Sequence, residues 1–177
     1  MNEKPFLYFD KLTQWNVGVI VFYIIFTIVV VFINTSGRAD VAQMVLIAYV
    51  VITQLMGYFF MYKALRNFTV YLICCGFALL HIFLYFLFKG NLGLKTVQGD
   101  FSSALFNSII LIILFQVLRY LSLKIQKREF VVPAKGGGKD LFDNIEPSIV
   151  DKILFVIYFV SFGGLTYLAL ALSWNKL

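Results

Sequence analysis

The chain has 177 residues, of which 61% are hydrophobic and only 14% charged, against the ~25% charged residues of an ordinary soluble domain. That balance excludes a soluble globular fold. Its formal charge of +6 would point to nucleic acid only if the basic residues formed a water-facing patch. They sit instead at the ends of apolar runs and in the connections, where membrane topology accounts for them, and no nucleic-acid partner is expected.

The first apolar run extends from Trp15 to Asn34. It is too long for the apolar stretch of a secretory signal, ~7–15 residues, and Asn34-Thr35-Ser36-Gly37 is a poor cleavage site, so a retained helix is expected. The second run, Val41 to Tyr62, follows after a connection short enough for a tight turn between antiparallel neighbours. The third, Phe68 to Phe88, follows Lys63 to Asn67 in the same way, which predicts that helices one, two and three pack sequentially. A loop from Lys89 to Asp100, with Gly90, Gly93 and Gly99, reads as exposed, and Asp100 before Ser102 and Ser103 reads as an N-cap. The fourth run is Phe101 to Leu121 and the fifth Lys152 to Leu172. Each run reaches the ~20 residues that a bilayer core of ~30 Å demands. The expected fold is all-α, a single polytopic membrane domain over 1–177 with five transmembrane helices in the lipid bilayer.

Lys and Arg are shared unequally between the two sides. Counting Arg119 and Lys152 at the helix ends, eleven lie on the side of the N-terminus and four (Arg38, Lys89, Lys95 and Lys176) on the other. The positive-inside rule places the first side in the cytoplasm and the C-terminus outside, and a bacterial inner membrane is the expected location.

The connection from Ser122 to Asp151 is the long one. Helix four is expected to run on through Lys124, Lys127 and Arg128, whose stems reach anionic lipid headgroups. Phe130-Val131-Val132-Pro133 reads as extended, and Gly136-Gly137-Gly138 as a break. Leu141, Phe142 and Ile145 then form an apolar ridge on a short amphipathic turn. Length and this ridge make the connection a candidate contact for partner subunits or headgroups. Its acids, Asp140, Asp143, Glu146 and Asp151, are spaced like a solvated face, with Asp151 also in the first turn of helix five.

Polar groups at membrane depth are where function is sought, because hydrocarbon offers them no partner. Tyr71, Cys74, Ala78, His81 and Tyr85 repeat as a heptad seam on helix three, which should face other helices. His81 lies about seven residues from the outer surface, level with Asn107 and Ser108 of helix four, and Gly163, Gly164 and Thr166 of helix five lie near that depth. These residues form a candidate polar layer, with Asn107 or Ser108 the expected partner of His81. Gln54 with Cys74 and Cys75 is placed in a second layer nearer the cytoplasm, and Gln116, about 180° around the helix from Asn107, cannot share its face. The adjacent cysteines read as packing residues.

The chemistry these residues exclude is considerable. One histidine cannot supply paired axial ligands to a haem, and neither a metal nor a cofactor is expected. No Asp or Glu lies inside a span, and no nucleophile turn accompanies Ser108, so an enzyme is not expected. A carbonyl filter or charged ring is absent from the sequence. The expected function is a non-catalytic subunit or scaffold of a larger membrane protein complex. The alternative is a small homo-oligomeric transporter or pore that uses the polar layer of His81 and Asn107.

Overall fold

The computed structural model describes residues 6, 9–36, 39–96, 99–133 and 145–174. Five helices long and apolar enough to cross a membrane dominate it: α1 (Gln14–Thr35), α2 (Ala39–Phe59), α3 (Phe68–Phe88), α4 (Asn107–Gln126) and α5 (Ile149–Trp174). The only sheet among the described residues is a two-stranded hairpin, β1 (Lys95–Thr96) and β2 (Gly99–Asp100), with Lys95 opposite Asp100. The chain is an integral membrane protein built as a five-helix bundle. One end of the bundle carries the hairpin. The other carries the long connection and is here called the basic end.

Each helix start has its own local cause. The Thr13 side chain accepts from Asn16 N, and that of Asn67 from Thr69 N, both N-caps that satisfy otherwise orphaned amides. Asn67 also donates from Nδ2 to the Asp10 carbonyl at 2.8 Å, tying the start of α3 to the segment before α1. Asp100 accepts from Ser102 N at 2.9 Å, the cap expected of it, but the turn it opens is 3₁₀ from Phe101 to Phe106. Ser102 and Ala104, both fully buried, let this tighter coil approach α3 and α5 closely.

The structure revises several boundaries. The second helix ends at Phe59 and not at Tyr62, because the chain turns to place Met61 and Tyr62 in the core, followed by Leu65 within the 3₁₀ turn Ala64–Arg66. The α-helical part of the fourth element begins at Asn107, and it stops at Gln126, where Lys127 adopts φ 57°. Arg128 is therefore outside the helix. The loop from Lys89 to Asp100 is not wholly exposed: Leu94 is buried and packs with the apolar core at the hairpin end. The packing is not sequential throughout. Helix α1 lies on α2, but α3 packs on α4 and on its 3₁₀ lead-in, and α4 lies against α5.

Two apolar cores result. Tyr58, Tyr62, Phe115, Phe130, Leu154 and Tyr158 fill the basic end. Val30, Leu46, Tyr49, Leu84, Leu94 and Leu105 fill the hairpin end. Phe130 and its neighbours are the surprise. The 130–132 stretch, expected to be an extended part of the connection, buries Phe130, Val131 and Val132 in the bundle, with the Phe130 ring 5.4 Å from that of Phe115 and 5.7 Å from that of Tyr58.

Candidate functional site: a histidine–tyrosine cluster between two cores

His81 sits between the two cores and is 1% exposed. Its Nδ1 bonds the Ser108 hydroxyl. Its Nε2 meets the Tyr49 hydroxyl at 2.9 Å and also the Tyr23 hydroxyl. Gln54 Nε2 donates to Ser108 Oγ at 3.2 Å and to the Ala104 carbonyl at 2.8 Å. Thr27 Oγ1 donates to the Tyr23 carbonyl at 2.8 Å and lies 2.7 Å from the Tyr49 hydroxyl. Four helices thus meet on one imidazole, even though α2 and α3 barely touch through their backbones.

Counting protons orients the cluster. A hydroxyl has one hydrogen, and that of Thr27 goes to a carbonyl, which can only accept. Tyr49 therefore donates to Thr27, and its oxygen shares the one His81 Nε2–H with the Tyr23 oxygen. A neutral imidazole then accepts at Nδ1 from Ser108, whose oxygen accepts from Gln54. The donors run in one direction, Gln54 to Ser108 to His81 to Tyr49 to Thr27, and end on the backbone of α1. Both ring nitrogens are spent on the chain's own groups. Below the ring lies a cavity of about 60 Å³ lined by Val19, Tyr23, Gln54, Cys74, Leu111 and Tyr158, among others. That exceeds the ~10–15 Å³ that one water needs, and Gln54 Oε1 is buried at its wall without a partner.

The expected layer is assembled only in part. His81, Ser108 and Gln54 share one site, so Gln54 does not form a second layer with the cysteines. Asn107 is one residue from Ser108, about 100° around the helix. It faces a separate groove on the α5 side, and its Nδ2 is buried without a partner. Gly163 and Gly164 face outward, and Thr166 spends its hydroxyl on Phe162 of its own helix at 2.8 Å. Tyr23, Thr27 and Tyr49 were not among the expected residues. Their signal was available as hydroxyls inside α1 and α2, with Tyr23 and Thr27 four apart on one face.

A second polar assembly closes the basic end. Arg119, 1% exposed, makes a fork to Glu129, from Nε at 2.9 Å and Nη2 at 2.6 Å. Arg66 approaches Glu129 at 3.7 Å and donates to the Phe130 carbonyl at 2.8 Å. Asp151, expected on a solvated face, is 0% exposed. It accepts from Val131 N at 3.1 Å, Ser148 N at 2.8 Å and Gln126 Nε2 at 2.8 Å, and it pairs with Arg128. Arg128 thus turns to a carboxylate and not to headgroups, because the chain has already folded back at Lys127. Lys124 and Lys127 are exposed. Ile145 is 41% exposed, while Leu141 and Phe142 lie outside the described residues. Gln116 Nε2 donates to the Leu65 carbonyl at 3.1 Å. Among the described residues no group of three His, Cys, Asp or Glu side chains is placed to hold a metal.

No protein-family model, curated protein or solved structure matches the chain. Fold and site together define its class, an integral membrane bundle of five helices with a neutral polar cluster in mid-bundle and ion pairs at one end.

Proposed function

We propose that the chain is a non-catalytic integral membrane subunit, or scaffold, of a larger membrane protein complex. The observation that supports this reading is the outward face of α5. Only 11% of its apolar window is buried, against 44% for the fourth span. Ile149, Ile153, Val156, Val160, Gly163 and Tyr167 follow one another at spacings of four and three and are all exposed. This is the seam of a helix made to lie along another helix. Hydrocarbon alone accounts for the Ile and Val. It does not account for Gly163, where nothing lies within 4 Å of an added Cβ. Small residues admit a second backbone closely.

The alternative, a small homo-oligomeric transporter or pore, is less well supported. It relied on His81 and Asn107 lining one path, and these face different spaces on either side of α4. An enzymatic role has no local support either, since the acids at the basic end are consumed by arginines and backbone amides.

The test is native mass spectrometry of the chain taken from its own membrane in mild detergent, beside Gly163→Leu. A heteromeric complex that the substitution dissociates is expected. A monomer, or a homo-oligomer unaffected by Gly163→Leu, overturns the reading. We further propose that the basic end faces the cytoplasm of a bacterial inner membrane. With Cys74 and Cys75 replaced by alanine, an impermeant thiol reagent applied to intact cells should label Gly93→Cys and spare Lys124→Cys. The reverse pattern refutes this orientation.

A further inference from the structure

A groove of about 530 Å³ opens at the hairpin end between the end of α3, the start of α4 and the last turns of α5. That volume falls within the ~300–1,000 Å³ of small-molecule sites. The groove is lined by two kinds of surface. Its rim carries Lys89 and Lys95, with Asp100 between them. The Asp100 carboxylate accepts from Gly90 N at 3.3 Å and from Ser102 N and Oγ at 2.9 and 2.7 Å. Two cations thus stand against one carboxylate that is already engaged in capping. The apolar walls are Phe106, Ile110, Leu165, Leu168 and Leu172. Phe106, Ile110, Leu168 and Leu172 are 42 to 65% exposed, so the groove opens sideways to the bilayer. Asn107, 4% exposed, also lines the groove, and its Nδ2 has no partner. An orphaned amide N–H at that position costs ~1–3 kcal/mol, and a carbonyl placed there removes the penalty.

We infer that this groove is a binding site for one anionic glycerophospholipid of the surrounding leaflet. Lys89 and Lys95 hold the phosphate, Asn107 Nδ2 donates to an ester carbonyl, and an acyl chain lies along Ile110, Leu168 and Leu172. Cations, an unpartnered amide donor and hydrocarbon are the three chemistries that such a lipid would satisfy together. A soluble anion would not need the apolar walls, and a neutral lipid would not need the lysines. This site does not depend on the seam of α5, so it and the proposed function stand or fall separately.

The experiment uses the full chain in mild detergent, delipidated and titrated in native mass spectrometry with dioleoyl phosphatidylglycerol or dioleoyl phosphatidylcholine. One retained phosphatidylglycerol is expected, favoured about fivefold or more over phosphatidylcholine. Lys89→Ala with Lys95→Ala should erase that preference. Ile110→Trp should expel the lipid with the melting temperature kept, and Leu168→Trp, filling the groove from the opposite wall, should do so independently. Lys124→Ala with Lys127→Ala, at the other end of the bundle, should leave the preference intact. Equal retention of both lipids by the unaltered chain overturns the site. So does undiminished retention in both tryptophan variants, loss of preference on removing the basic-end lysines, or displacement of the lipid by inorganic phosphate.

Discussion

Around His81 every polar group is a hydroxyl, an amide or an imidazole, and the partners are shared among α1, α2, α3 and α4. At the basic end Arg66, Arg119, Arg128, Glu129 and Asp151 are paired where the α2–α3 turn, the end of α4 and the start of α5 come together. Depth explains the difference. A charge at mid-bilayer costs at least ~2.5–3.5 kcal/mol, so the deep cluster is assembled from groups that exchange protons and lone pairs without net charge. Nearer the surface, charges are tolerable, and ion pairs can immobilise a segment that has no helix of its own. The neutral cluster fixes how four helices are rotated about their axes. The charged one fixes where the chain goes after α4 ends.

This contrast orders the mutational effects. Asp151→Ala should be the most damaging, because it strands the Val131 and Ser148 amides and the Gln126 side chain together, although Arg128, 36% exposed, can turn to water. A loss of ~3–5 kcal/mol is expected from several orphaned donors, measured as unfolding in mixed micelles. Arg119→Leu should cost less, ~2–3 kcal/mol, since Glu129 is 28% exposed and can turn towards water. His81→Leu should cost only ~1 kcal/mol despite its complete burial, in line with hydrogen bonds between transmembrane helices. Thr27→Val removes the last donor in the chain and should cost ~0.5 kcal/mol. In a double-mutant cycle, Thr27→Val and His81→Leu should prove non-additive although Tyr49 stands between them. If His81→Leu destabilises more than Asp151→Ala, the assignment of stability to the charged end is wrong. Strict additivity of Thr27 and His81 would break the directional chain of donors.

What could be read in advance follows the same division. The helices were legible because lipid demands long apolar runs, and all five runs lie where helices are found. The contact between His81 and Ser108 was legible by counting residues from the surface on two antiparallel helices. The tyrosines were not, since a tyrosine in an apolar run reads first as an aromatic packing residue and only its surroundings reveal the hydroxyl. The pairing of Asp151 with Arg128 and of Glu129 with Arg119 depends on a reversal at Lys127. No feature of a lysine announces a left-handed conformation, so Asp151 read as part of a solvated face and Arg128 as facing headgroups. Asn107 was equated with Ser108 because their depth is equal; depth cannot distinguish two neighbours that point about 100° apart.

The bonds of Gln126 hold one more consequence. Its side chain donates to Asp151 at 2.8 Å and accepts from the Ser148 hydroxyl at 2.7 Å. The two ends of the long connection are thereby stapled side by side, by bonds that do not involve the residues between 133 and 145. A segment whose entrance and exit are fixed together behaves as a socket: each doubling of its length adds only ~0.6 kcal/mol of closure entropy. A fluorescent protein spliced in at Gly137 should therefore leave the melting temperature of the bundle nearly unchanged, and the same cargo spliced between α2 and α3, where Asn67 is bonded on both sides, should not be tolerated.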